Sequence, residues 1–185
     1  MTHKETGMVL AVLKAAYPHS FKDITPEEGM AMANLWQTMF AADPYEAVNA
    51  AVSALISTRK EGYSPTIGEV KEQLYKLTAP EELNEGEAWA MICKACKNGS
   101  YGYKEEFEKL PPEVQKAVGK PEQIREWAQI DTDTFQTVIM SNFQRSFRIA
   151  QMRAKQDAML PPGVRETVGR ISGHMAYQLP EGVYE

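Results

Sequence analysis

Two cysteines, three histidines and no apolar run of bilayer length are what 185 residues offer to several common functions. Crossing a membrane takes about 18 to 20 consecutive apolar residues. The best candidate, MVLAVL, ends at Lys14 and is followed by no small-residue cleavage site, so MTHKETGMVLAVLKAAYPHS reads as an amphipathic helix, not a leader. A cytoplasmic protein without a membrane partner is expected. Cys93 and Cys96 form C-K-A-C, but a structural zinc needs four ligands and there is no second cysteine pair. His3, His19 and His174 lack ligand spacing, so no metal is expected. Redox use of the pair would need a strand before it, whereas AWAMICKACK reads as helix. At i and i+3 the two thiols share one face and are expected reduced, toward a core.

Catalytic signatures are missing as well. The sequence has no G-x-x-x-x-G-K-[ST] phosphate loop, no H-E-x-x-H, no G-x-S-x-G and no dinucleotide-binding glycine pattern. The acid pairs Glu27/Glu28, Glu81/Glu82 and Glu105/Glu106 sit at helix starts or beside lysine. Adjacent residues on a helix do not face each other, so these pairs cap and solvate instead of sharing a proton. Neither a catalytic residue nor a cofactor is expected, and the chain reads as a non-enzyme.

Strand-like alternation is scarce, and helix starts are plentiful. Thr25-Pro26-Glu27-Glu28, Thr66-Ile67-Gly68-Glu69 and Asn84-Glu85-Gly86-Glu87 each set a capping side chain three residues before a glutamate. Asp43-Pro44-Tyr45-Glu46 follows the same grammar, with proline at the first helical position. Pro65 forces Ser64 out of helical geometry and so ends the preceding segment. Apolar residues recur at helical steps: Met8, Val12 and Ala15/Ala16; Met32, Leu35, Trp36 and Met39/Phe40; Val48, Ala51/Val52, Leu55 and Ile56; Ile67, Val70, Leu74 and Leu77. These are expected to be core faces.

The fold class predicted is all-α. Four short helices form an N-terminal domain over residues 1–79. A second helical domain follows over 84–160, with short proline-started pieces that pack Tyr103, Phe107, Leu110, Val114, Val118, Ile124 and Trp127. Its long C-terminal helix runs from about Asp133 to Met159, with Phe135, Val138/Ile139, Phe143, Phe147 and Met152 expected inward. Residues 161–185 are expected to be a mostly flexible tail, with room for a short helix near Val164–Ile171.

Charge is distributed unevenly behind the net −5. Residues 1–90 carry 7 Lys/Arg against 13 Asp/Glu, while residues 145–170 carry 6 against 2. An acidic front half is a poor DNA binder, so direct DNA binding is expected to be weak or absent. The basic stretch, Arg145, Arg148, Arg153, Lys155, Arg165 and Arg170, supplies the candidate partner-binding residues. Ten methionines also suit adaptable protein contacts.

The order of signals in the first half resembles a known family. Ala16-Tyr17-Pro18 and Phe21 are followed by Leu35-Trp36, then Asp43-Pro44-Tyr45-Glu46-Ala47-Val48, then Tyr63-Ser64-Pro65-Thr66-Ile67-Gly68-Glu69-Val70. Over about residues 4–76 this is similar to the phage helicase loader/inhibitor family, small helical proteins of phages and prophages. Glu87-Ala88-Trp89, Leu110-Pro111 and Ser141-Asn142-Phe143-x-Arg145-Ser146-Phe147 resemble patterns in longer phage relatives. The resemblance implies a DNA-replication accessory protein that binds a hexameric replicative helicase, inhibits it and helps load it at an origin. An origin-bound initiator is a further implied partner. Tyr17, Pro18, Trp36, Tyr45, Pro65, Thr66 and Ile67 match the family pattern as scaffold. Two other readings stand beside this one: an initiation protein that binds origin DNA directly, and a phage adaptor for another host protein.

Overall fold

The computed structural model describes residues 1–79 and 81–176, with side chains to residue 172. Among the described residues there are helices and turns and no strand, so the fold is all-α. The chain divides into two compact units. One comprises Met1–Ala79 together with the C-terminal part from Asp157, and the other Pro80–Gln156.

In the first unit, α1 (His3–Ala16), α2 (Pro26–Met39), α3 (Tyr45–Thr58) and α4 (Ile67–Thr78) follow one another, with a 3₁₀ turn at Pro18–Phe21. The predicted boxes at Thr25/Glu28 and Thr66/Glu69 both close, each hydroxyl accepting an amide while the glutamate accepts the cap's own amide. A third box, Thr2/Glu5, starts α1, and it escaped the sequence reading. A cap of this kind is worth about 1 kcal/mol.

The start of α3 differs from expectation. Its N-cap is Pro44, which makes no side-chain cap bond. The Asp43 carboxylate is engaged elsewhere, 2.6 Å from Lys71 Nζ on α4. A buried ammonium is a stronger claimant for a carboxylate than an exposed amide.

The core of this unit is built from Val9 and Leu13 of α1, Tyr17, Trp36 and Phe40, Val48, Ala51 and Val52, and Val70 and Leu74. Trp36 stacks on Phe40 with centroids 5.3 Å apart. Three expected stripes differ in part from the observed core. Met8 and Val12 are exposed, because α1 turns Thr6, Val9 and Leu13 inward instead. Met8–Leu13 is apolar at every position, so periodicity alone did not fix the register. Leu35 of α2 and Leu77 of α4 are exposed too. The Met1 nitrogen donates to the carbonyls of Phe40 (3.0 Å), Ala41 (3.3 Å) and Asp43 (3.0 Å) in the turn that follows α2.

The second unit opens with α5 (Glu85–Lys97), capped by the predicted Asn84/Glu87 box. Helix α6 (Gly99–Glu108) follows at once and bends at Gly102. Then come α7 (Pro112–Val118) and α8 (Pro121–Trp127), separated at Gly119, whose φ of 91° suits a residue without Cβ. The last helix begins as α9 (Thr132–Thr134), widens into a π-turn at Phe135–Ile139 and continues as α10 (Met140–Met159).

Ala88, Trp89, Ile92, Ala95, Leu110, Val114, Val118, Ile124, Phe143 and Phe147 form this core. Trp89 lies 4.8 Å from Phe135 and 5.7 Å from Phe143, and Phe143 stacks on Phe147 at 5.8 Å, centroid to centroid. Val138 and Met152, expected inward, are exposed instead. The extra residue of the π-turn turns Val138 off the core face. Met152 stands nine residues beyond Phe143, two and a half turns, which places it on the opposite side.

Beyond Leu160, where a mostly flexible tail with at most a short helix was expected, α11 (Pro162–Ala176) forms. The rest of that expected tail, 177–185, lies outside the described residues.

Candidate functional site

The thiols, the best candidates for chemistry, sit on one side of α5 as their spacing predicted, and both are free. Burial pushes the Cys96 thiol up to about 12, with Cys93 beside it adding to the effect, and burial also raises Cys93. A thiol so disfavoured as thiolate is a poor nucleophile. Among the described residues no three His, Cys, Asp or Glu side chains gather to hold a metal ion. No helix among them is long and apolar enough to cross a membrane.

The six basic candidates divide into two kinds. Arg148 is tied to Glu85 by a 3.0 Å ion pair. Arg165 folds back to close α10: its Nε donates to the Asp157 carbonyl at 3.0 Å, and Nη2 to those of Ala158 and Leu160, each at 3.2 Å. Such a fork satisfies carbonyls that a helix end leaves without partners. Arg145, Arg153 and Arg170 are exposed and form no ion pair among the described residues. Lys155 is half-buried and engaged. Among the described residues, Arg145 and Arg153 are thus the cations of α10 without an ion pair, while Arg148 and Arg165 do local structural work. The sequence reading missed the apolar side chains between them: Ile149 and Met152 are exposed on the same outer side.

Residues named for their family pattern occupy the first unit's interior and its joints. Tyr17 and Trp36 are buried in the core, Pro65 is buried and Tyr45 and Ile67 pack on the core's edge. Pro18 opens the 3₁₀ turn and Thr66 caps α4. The stretch around Pro65 is fastened by the Ser64 amide, which donates to Ser20 Oγ at 2.8 Å. Arg59 secures its other side, with Nε 3.2 Å from Glu61 and Nη1 3.0 Å from Glu69, the second an ion pair without hydrogen-bond alignment.

Residues 1–71 match the family model for the N-terminal domain of the phage helicase loader/inhibitor. The match ends inside α4, and the second unit lies beyond it. No curated protein and no solved structure is matched by the chain. The loader/inhibitor-type domain carries a shallow groove of about 360 Å³ between α1 and α2, where Gly7, Ala11 and Gly29 leave room and Lys14 supplies the charge.

Proposed function

We propose that this chain is a phage or prophage replication accessory protein that binds a hexameric replicative helicase, restrains it and assists its loading at an origin. The observation that carries the reading is the match of residues 1–71 to the N-terminal domain of the phage helicase loader/inhibitor. The sequence adds that a phosphate-binding loop is missing, so nucleotide turnover is left to the partner. The protein then acts stoichiometrically and not as an enzyme. Preferential binding to one nucleotide state of the helicase is enough to shift its population toward that state. Handover to an origin-bound initiator releases it. The free cations Arg145, Arg153 and Arg170 are the candidates for the contact, with Arg148, Lys155 and Arg165 in supporting positions.

The test is retention of the full-length chain by the immobilised host helicase with and without ATP, beside a chain truncated after Leu160. Nucleotide-dependent retention is expected. Its absence in both states, together with duplex affinity that falls steeply with salt, would replace this reading with direct origin binding.

A further inference from the structure

The outer side of α10 pairs apolar and basic side chains in a register that surface positions alone do not require. Phe143 and Phe147 point into the core. On the far side, Arg145, Ile149, Met152 and Gln156 follow at steps of four, three and four, the spacing of a helix-pairing seam. Ile149 is 46% exposed and Met152 61%. Arg145 and Arg153 flank them without an ion-pair partner among the described residues, unlike Arg148, which Glu85 neutralises. The seam runs about 16 Å at 1.5 Å per residue.

Single exposed apolar residues need no explanation. Two of them in seam register between unpaired cations select a particular complement. We propose that this seam docks an acidic, apolar-striped helix of the hexameric replicative helicase, side by side with α10 as in a two-stranded coiled coil. The inference rests on the helicase-binding reading and names the partner chemistry and the side chains that meet it. Carboxylates on that helix would pair with Arg145 and Arg153 while its apolar stripe covers Ile149 and Met152. A second copy of this chain is a poor complement, because it brings arginine against arginine across the seam. Nucleic acid would engage the arginines but leave the two apolar side chains wet.

The test compares four full-length proteins on immobilised helicase: the wild type, I149E/M152E, R145E/R153E and I149L/M152L. All four are expected to keep the wild-type melting temperature, since the altered side chains are exposed. Both glutamate variants should bind at least tenfold more weakly, and the leucine variant as the wild type does. The R145E/R153E deficit should shrink between 0.1 M and 1 M salt, as the screening length falls from about 10 to about 3 Å. A photocrosslinker at position 152 should capture a peptide from an acidic helix of the helicase.

Retention of every variant equal to the wild type overturns the seam and leaves the helicase reading standing. Capture of a basic or non-helical peptide overturns the seam in the same way. A wild type that is not retained overturns the helicase reading and this inference with it. Dimers of the chain alone that I149E/M152E dissolves would assign the seam to self-pairing and overturn the proposal.

Discussion

Lys71 Nζ lies 2.6 Å from Asp43 Oδ2 and 4.7 Å from the centre of the Phe40 ring, so one ammonium group joins α4 to the turn between α2 and α3. The two partners are unequal. The Lys71 side chain is 10% exposed and that of Asp43 23%. Removing the carboxylate strands the more deeply buried charge, whereas removing the ammonium leaves a carboxylate that water still reaches. D43N is therefore expected to cost about 3 kcal/mol and K71M clearly less, because methionine keeps the packing against Phe40. Urea unfolding of both single variants and the double variant measures this. A K71M penalty equal to or above that of D43N would show that packing and not charge governs the site.

Glu69 gives the first unit a pH dependence of known sign. The Thr66 backbone amide and hydroxyl, at 2.7 and 2.8 Å, hold its carboxyl below the ordinary 4.5, with Arg59 adding to the effect. A depressed value means that the stabilisation is present above 4.5 and is lost as pH falls through the lowered value. E69Q keeps a side-chain acceptor for the Thr66 amide but cannot titrate. Its penalty at pH 7 should stay under about 1 kcal/mol, given the exposure of the ion pair. That penalty should shrink as melts are run at pH values progressively below 4.5. A constant difference between the two proteins across this range would remove Glu69 from the account.

Gly99 sits where α6 meets α8, and a Cβ there would stand 3.0 Å from the Ile124 carbonyl oxygen and 3.1 Å from the Ala128 Cβ. Backbone on one side leaves little room to give way. G99A should destabilise the second unit by about 1 to 3 kcal/mol, as overpacking does elsewhere. G7A, with nothing within 4 Å of its added carbon, is the control and should be neutral or stabilising in its helix. A harmless G99A in thermal melts would mean that α6 and α8 separate at no cost.

The cysteine pair should behave as structure and not as a redox couple. Cys96 Sγ lies 3.9 Å from the Ile124 carbonyl, and with its thiol pushed up to about 12, only about one molecule in ten thousand is thiolate at pH 8. Alkylation followed by mass spectrometry should label Cys93 before Cys96 at that pH. The Cys96 rate should climb about tenfold per pH unit until near 12. Rapid labelling of Cys96 at neutral pH would contradict its burial.

The amino-acid sequence by itself determined the helices, their caps at Thr25, Thr66 and Asn84, and the long helix ending at Met159. Capping bonds span three residues and helical stripes span a few turns, so both are written in local order. It also carried the family pattern of the first unit, since Tyr17, Trp36 and Pro65 stand at fixed joints between those helices. What it left open needed partners distant in sequence. Asp43 looked like a cap until Lys71, 28 residues on, claimed its carboxylate. Val9 and Leu13 displaced Met8 and Val12 from the core because every residue of that run is apolar, and only the neighbouring helices select a face. The same holds for the basic stretch of the C-terminal part. Six basic residues were visible as a cluster of charge. Only tertiary structure, by engaging Arg148 with Glu85 and Arg165 with the carbonyls that close α10, set these two apart from Arg145 and Arg153, which form no ion pair among the described residues and flank the exposed Ile149 and Met152.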